Sequence, residues 1–287
     1  MKKYLSLIKF SHTIFALPFA MLGFCLGTLV MGKGLDPFLL LKVILCMVFA
    51  RSAAMAFNRY VDRDIDALNP RTALREIPAG FIKERSALFF ILINSLAFIG
   101  TTWFINPLCF WLSPVALAII CGYSLTKRYT ALCHLILGIG LSLSPIGAYL
   151  AVTGYFHPLP VFYSLAIIFW VAGFDIIYAL QDEEFDNEHG LSSIPARFGK
   201  KNALRISVFF HVLTVIFSTL AAYQLPELFP WVGMLQWSAL FIFSALLVYQ
   251  HSLVSPKDLS RVNLAFFTTN GVASIIFCGL IILDLLV

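Results

Sequence analysis

Apolar runs of about twenty residues, broken by short polar connections, follow one another along almost the whole chain. The pattern predicts helices over 11–31, 37–58, 87–105, 107–125, 131–152, 160–181, 204–224, 229–250 and 264–286. A helix rising 1.5 Å per residue needs about 20 apolar residues to cross a hydrocarbon core roughly 30 Å thick. Each interval meets that length, so each reads as a membrane span. The first run is too long for a signal-peptide core and has no small-residue cleavage pattern after it, so it reads as an uncleaved span.

Composition fixes the solvent. The 287 residues are 60% hydrophobic and 12% charged, with a mean hydropathy of +0.88. A soluble domain carries about 45–50% apolar and about 25% charged residues. This chain has too little polar surface to cover a water-soluble globule. The six cysteines are scattered through apolar runs without a CxxC pair, which argues against a disulfide framework or a zinc site.

The net charge of +5 does not form a patch, so nucleic acid is not expected as a partner. The basic residues instead alternate with the spans. Lys2, Lys3 and Lys9 precede the first. Arg59, Arg63, Arg71, Arg75, Lys83 and Arg85 follow the second, Lys127 and Arg128 the fourth, Arg197, Lys200, Lys201 and Arg205 the sixth, and Lys257 and Arg261 the eighth. The opposite connections hold only Lys33, with Lys42 nearby in a span. The positive-inside rule then places the N-terminus and the basic loops in the cytoplasm of a bacterial-type inner membrane, and the C-terminus outside. No soluble domain or linker interrupts the pattern, so residues 1–287 read as one membrane domain.

Two clusters carry candidate chemistry. Asn58, Asp62 and Asp66 follow one another at four-residue intervals at the end of the second helix, which puts them on one face if that helix continues. Asp182 and Asp186 repeat the interval after the sixth helix, with Asp175 and Tyr178 deeper on the same face. Four carboxylates at one depth repel each other unless cations lie between them. Mg2+ suits this donor set, because it takes one or two carboxylates and completes its shell with water and substrate phosphates. Arg71, Arg75, Lys127 and Arg128 are candidates for the remaining phosphate oxygens, with Tyr123 as a hydrogen-bond donor. Arg51 is ionisable within a span and is a functional candidate on that ground. His12, at the mouth of the first helix, is a weaker one; the other histidines have no ligand spacing. Glu76, Glu84, Asp64, Glu183 and Glu188 read as solvated loop charge. The expected architecture is an all-α membrane protein, with about nine spans around a central cavity that opens at the cytoplasmic side.

The segments NRYVDRDID, NPRTALREIPAG, YSLTKRYT and YALQDEEFDNEHGLSSIPARFG resemble the UbiA superfamily of intramembrane prenyltransferases, and the likeness extends over nearly the whole chain. The resemblance implies that Asn58, Asp62, Asp66, Asp182 and Asp186 hold Mg2+ and a polyprenyl diphosphate, assisted by Lys127 and Arg128. It implies transfer of the isoprenoid to an aromatic acid, either 4-hydroxybenzoate or the dihydroxynaphthoate of a menaquinone route. Arg59 departs from the family pattern, which often has Asp after the motif Asn. An ion-coupled transporter is the rival from another class, but it would place its carboxylates near mid-membrane on broken helices.

Overall fold

The computed structural model describes residues 2–8 and 15–287, and among these the chain is helical with no strand. The elements are α1 (Lys2–Leu7), α2 (Leu17–Val30), α3 (Pro37–Val61), α4 (Arg63–Leu68), α5 (Glu84–Trp103), α6 (Pro107–Thr126), α7 (Cys133–Thr153), α8 (Pro158–Ala179), a 3-10 turn (Leu180–Asp182), α9 (Glu183–Glu188), α10 (Ile194–Leu228), α11 (Met234–Ser252), a π-helical turn (Leu264–Thr269) and α12 (Asn270–Leu286). Among the described residues seven helices are long and apolar enough to cross a membrane. α2 is shorter, and α11 carries Gln236, Gln250 and His251.

Helix starts follow local chemistry. Asp36 accepts from the Phe38 and Leu39 amides before Pro37, and Asn106 accepts from the Cys109 amide before Pro107. Both place a capping oxygen on orphan amides and a proline where no amide is needed. α11 borrows its cap: Asp284 of α12 accepts from the Gly233 and Gln236 amides, at 3.2 and 2.8 Å.

Two groups of helices arise from the packing. α2, α7, α8, α10, α11 and α12 form a closed ring, each against the next. Its core is aromatic, with Phe19, Trp170, Phe174, Phe243 and Phe277 interlocked and the Trp170 indole donating to Asn270 Oδ1 at 3.1 Å. α8 is apolar on nearly every face and lies buried between α7 and α10. α3, α5 and α6 form a second group, joined to the ring mainly through α6 on α7. Close backbone approach needs glycine at two crossings: a Cβ on Gly138 of α7 would run into the Ile168 carbonyl of α8, and one on Gly23 of α2 into the Pro145 carbonyl of α7.

Several boundaries differ from the sequence expectation. α3 does not continue through Asp66. It ends at Val61, and Asp62, with φ −88° and ψ 3°, joins it to α4. α10 begins at Ile194 rather than 204, with a break at Gly199 (φ 75°) that only glycine adopts readily. α1 was not expected; six residues are too few to show a period, and Leu7 and Tyr4 dock on Ala56 and Phe90.

Candidate active site

The two aspartate clusters share one local construction. Asp182, with φ −102° and ψ 3°, breaks the chain between α8 and α9 as Asp62 does between α3 and α4. Each break is followed by a six-residue helix whose fourth residue is a buried aspartate, Asp66 or Asp186. The four-residue interval thus survives although the long helix does not continue.

Each aspartate has a basic partner. Arg128 donates to Asp62 at 3.1 Å, and the Asn58 amide donates to the other oxygen at 3.0 Å. Arg75 donates to Asp66 at 2.6 Å. Arg71 meets Asp182 in a fork, Nε at 3.0 Å and Nη2 at 2.5 Å, and its third nitrogen donates to the Tyr178 hydroxyl at 2.9 Å. Lys127 lies 2.7 Å from the fully buried Asp186, which also accepts from the Ser193 hydroxyl at 2.8 Å. Four of these residue pairs join distant parts of the chain: the loop after α4 reaches Tyr178 and Asp182 at the end of α8, and the loop after α6 reaches both aspartate clusters. Burial, and then the charge of Asp66, push the Asp62 carboxyl above its ordinary value, against the pull of Arg128. For Arg71, burial opposes the charge, but hydrogen bonding and attraction from Asp182 outweigh it and raise the group.

A cavity of about 970 Å³ opens between the helix ring and the α3–α5–α6 group. Its wall includes Arg51, Asn58, Arg59, Arg71, Arg75, Glu76, Tyr123, Asp175 and Tyr178, and the remainder is largely apolar, with Leu112, Ile119, Leu141 and Phe174. Arg51, Asp175, Tyr178 and Tyr123 share this wall. Asp62, Asp66, Asp182 and Asp186 are not themselves in the wall; Arg71 and Arg75 are. The four carboxylates do not face one another bare. His12 lies outside the described residues.

Other residues escaped the sequence reading. Glu76 is not a solvated charge: it is buried in the cavity wall, accepts from the Ser6 hydroxyl at 2.5 Å, and its second oxygen has no hydrogen-bond donor. Arg59 is buried 4.0 Å from Asp66. Asn69 donates to Asp182 at 3.3 Å. His134 is buried on α7 with its Nδ1 2.7 Å from Asp175. None of these had a periodic or motif signal beyond its neighbours.

The donor set fits a hard cation that arrives with additional ligands. Asp66 Oδ2 is a buried carboxylate oxygen without a hydrogen-bond donor, the kind of orphan that a bound ion satisfies. Among the described residues no three His, Cys, Asp or Glu side chains come close enough to hold a metal alone.

A pH prediction follows from Asp62. A carboxyl whose folded-state pKa is raised binds its proton before the unfolded chain does as pH falls. The metal-free protein therefore gains stability from this group toward mildly acidic pH. A cationic ligand at Asp62 must displace that proton. Thermal stabilisation by Mg2+ with a polyprenyl diphosphate should be smaller at about pH 5.5 than at about pH 7.5, and Asp62→Asn should flatten the difference. A difference unchanged in the variant would assign the effect to another group.

The profile of the UbiA prenyltransferase family matches residues 16–272. The 4-hydroxybenzoate octaprenyltransferase of Yersinia enterocolitica is 31% identical over 257 residues, covering 88% of this chain and 85% of that one. The enzyme of that name from Nitrosomonas eutropha is 32% identical, covering 88% and 86%. The apo structure of a UbiA homologue from Aeropyrum pernix K1 superposes with a TM-score of 0.82 at 32% identity, covering 95% of this chain and 98% of that one. A UbiA homologue from Archaeoglobus fulgidus, solved with DMAPP and Mg2+, shares the fold at 22% identity and a TM-score of 0.73, covering 99% of each chain. With the profile matched over most of its length, and with Arg71 and Arg75 joining two aspartate clusters to the wall of one cavity, the chain belongs to the UbiA prenyltransferase family.

Proposed function

We propose that this membrane enzyme transfers a polyprenyl chain from its diphosphate to the ring of an aromatic acid, 4-hydroxybenzoate first, in quinone biosynthesis. The observation that carries the reading is the pairing of Asp62, Asp66, Asp182 and Asp186 with Arg128, Arg75, Arg71 and Lys127 beside a long apolar cavity. Such a site offers both charges that a metal diphosphate needs, and a dry chamber for its hydrocarbon. The relatives' names point to the same transfer.

Asn58 and the aspartates would hold Mg2+, which when bound supplies Lewis-acid stabilisation of the departing diphosphate. Arg71, Arg75, Lys127 and Arg128 bind its remaining oxygens, with Tyr123 as a neutral donor. Arg51, inside the cavity and with its Nε unpartnered, holds the acceptor carboxylate. The apolar wall excludes water from the allylic cation. We assign residues 1–287 to one domain of nine spans, with the N-terminus and the cavity mouth on the cytoplasmic side. The basic loops that meet at the aspartates support that orientation. Prenylation of a dihydroxynaphthoate in a menaquinone route is the alternative reading.

The test is a lipid-extraction assay on purified protein in detergent, with labelled polyprenyl diphosphate, Mg2+ and each acceptor in separate tubes. Product with 4-hydroxybenzoate alone, lost on adding EDTA, is the expected result. Product with the naphthoate alone would move the enzyme to the menaquinone route, and no product from folded protein with either acceptor would overturn the reading.

A further inference from the structure

We propose that Asp175 is the base that removes the ring proton after the carbon–carbon bond forms, and that His134 is the positioning residue that holds it for this task. The inference rests on aromatic prenyl transfer as the reaction.

The depth of Asp175 comes first. It lies seven residues before Asp182 on α8, about 10 Å further along the helix. A diphosphate held at the aspartate clusters places its hydrocarbon, and the ring that attacks it, inward from the mouth. Asp175 is in the cavity wall there, with Val171, Phe174, Tyr178 and, on the facing α6, Tyr123.

Availability comes second. The four motif aspartates are each engaged by Lys or Arg. Among the described residues Asp175 has no Lys or Arg within 4 Å; its one ion-pair partner is His134. The tautomer of that histidine follows from its other contact. The Ile194 amide donates to His134 Nε2 at 3.3 Å, so the ring hydrogen belongs on Nδ1, where it donates to Asp175 Oδ2 at 2.7 Å. One carboxylate oxygen is thereby fixed and the other is left for the cavity. The histidine cannot take the proton onward through Nε2 without turning a second donor against the Ile194 amide. The proton therefore stays on Asp175 until it leaves through the cavity.

The step balances. The allylic C–O bond breaks with its electron pair going to diphosphate, and the ring carbon ortho to the hydroxyl bonds to the allylic carbon. The C–H bond at that ring carbon then breaks. Its electron pair restores the aromatic sextet, and the proton passes to Asp175. A ring cation is a strong acid, so an ordinary carboxylate suffices as acceptor. Glu76 is the rival carboxylate in the same wall, but it follows Arg75 directly in the chain and is tied to Ser6 of α1.

The experiment uses the full-length protein in detergent with labelled polyprenyl diphosphate, Mg2+ and 4-hydroxybenzoate, either ordinary or deuterated at both positions ortho to the hydroxyl. The wild type should process both acids equally. Asp175→Asn, which can still accept from His134, should bind the diphosphate as before, turn over about 100-fold more slowly, and become slower still with the deuterated ring. His134→Phe should show the same ring-deuterium sensitivity with a smaller loss of kcat and little change in KM. It carries the test alone if Asp175→Asn does not bind diphosphate. Turnover by these variants without deuterium sensitivity, or sensitivity acquired by Glu76→Gln instead, would overturn the assignment. If the wild type prenylates no aromatic acid, the reaction itself is wrong and the proposal falls with it; if it does and Asp175→Asn matches it, the proposal alone is wrong.

Discussion

Asp182→Asn is expected to lower kcat at least about a thousand-fold while the protein stays folded. The substitution keeps the shape and one acceptor oxygen, so Asn69 and one arm of Arg71 retain a partner. What it removes is the negative charge that faces both Arg71 and an incoming cation. A metal ligand without its charge binds weakly, and Arg71 loses part of the fork that holds its loop in place. Single-turnover release of labelled diphosphate, measured beside the melting temperature, separates the two effects. A variant with an unchanged melting temperature and near-normal turnover would remove Asp182 from the machinery. Unfolding would instead show that the Arg71 fork holds the loop after α4 in place.

Gly138→Val is expected to cause a large loss in the helical scaffold. The Ile168 carbonyl occupies the space of even a first side-chain carbon, and it is backbone, so it cannot turn aside. α7 and α8 must separate, at a cost of about 1–3 kcal/mol or more. His134 sits one turn before Gly138 on the same helix, so the separation also pulls it from Asp175. Melting temperature and activity should fall together. Gly100→Ala is the control, since no heavy atom lies near that position and alanine improves helix propensity by up to about 1 kcal/mol. A Gly138→Val protein as stable as the control would mean that the crossing has slack.

The two variants mark the limits of reading this chain without coordinates. Helix positions follow from apolar run length, which the bilayer imposes locally. The aspartates were legible because their interval is a local regularity, even though the helix that seemed to explain it stops at Val61. Nothing in the chain signals that stop, since neither proline nor glycine stands at Asp62 or Asp182. The basic residues were recognised, but not their assignments: Arg71 and Asp182 are 111 positions apart, and only the tertiary path of the loop brings them together. Glu76 looked like loop charge because burial of a loop residue is decided by α1, which no periodicity announced. His134 showed no ligand spacing in the sequence because its partner lies across the α7–α8 crossing that Gly138 permits.

The charge balance of the two aspartate clusters is closed within the chain, each carboxylate having its own arginine or lysine. A metal diphosphate therefore enters by exchange: carboxylates pass from guanidinium and ammonium groups to metal, while those groups pass from carboxylate to phosphate. Its affinity measures the difference between two sets of ion pairs rather than the strength of either. Added salt weakens both sets, so binding should vary less steeply with ionic strength than so many charged contacts suggest.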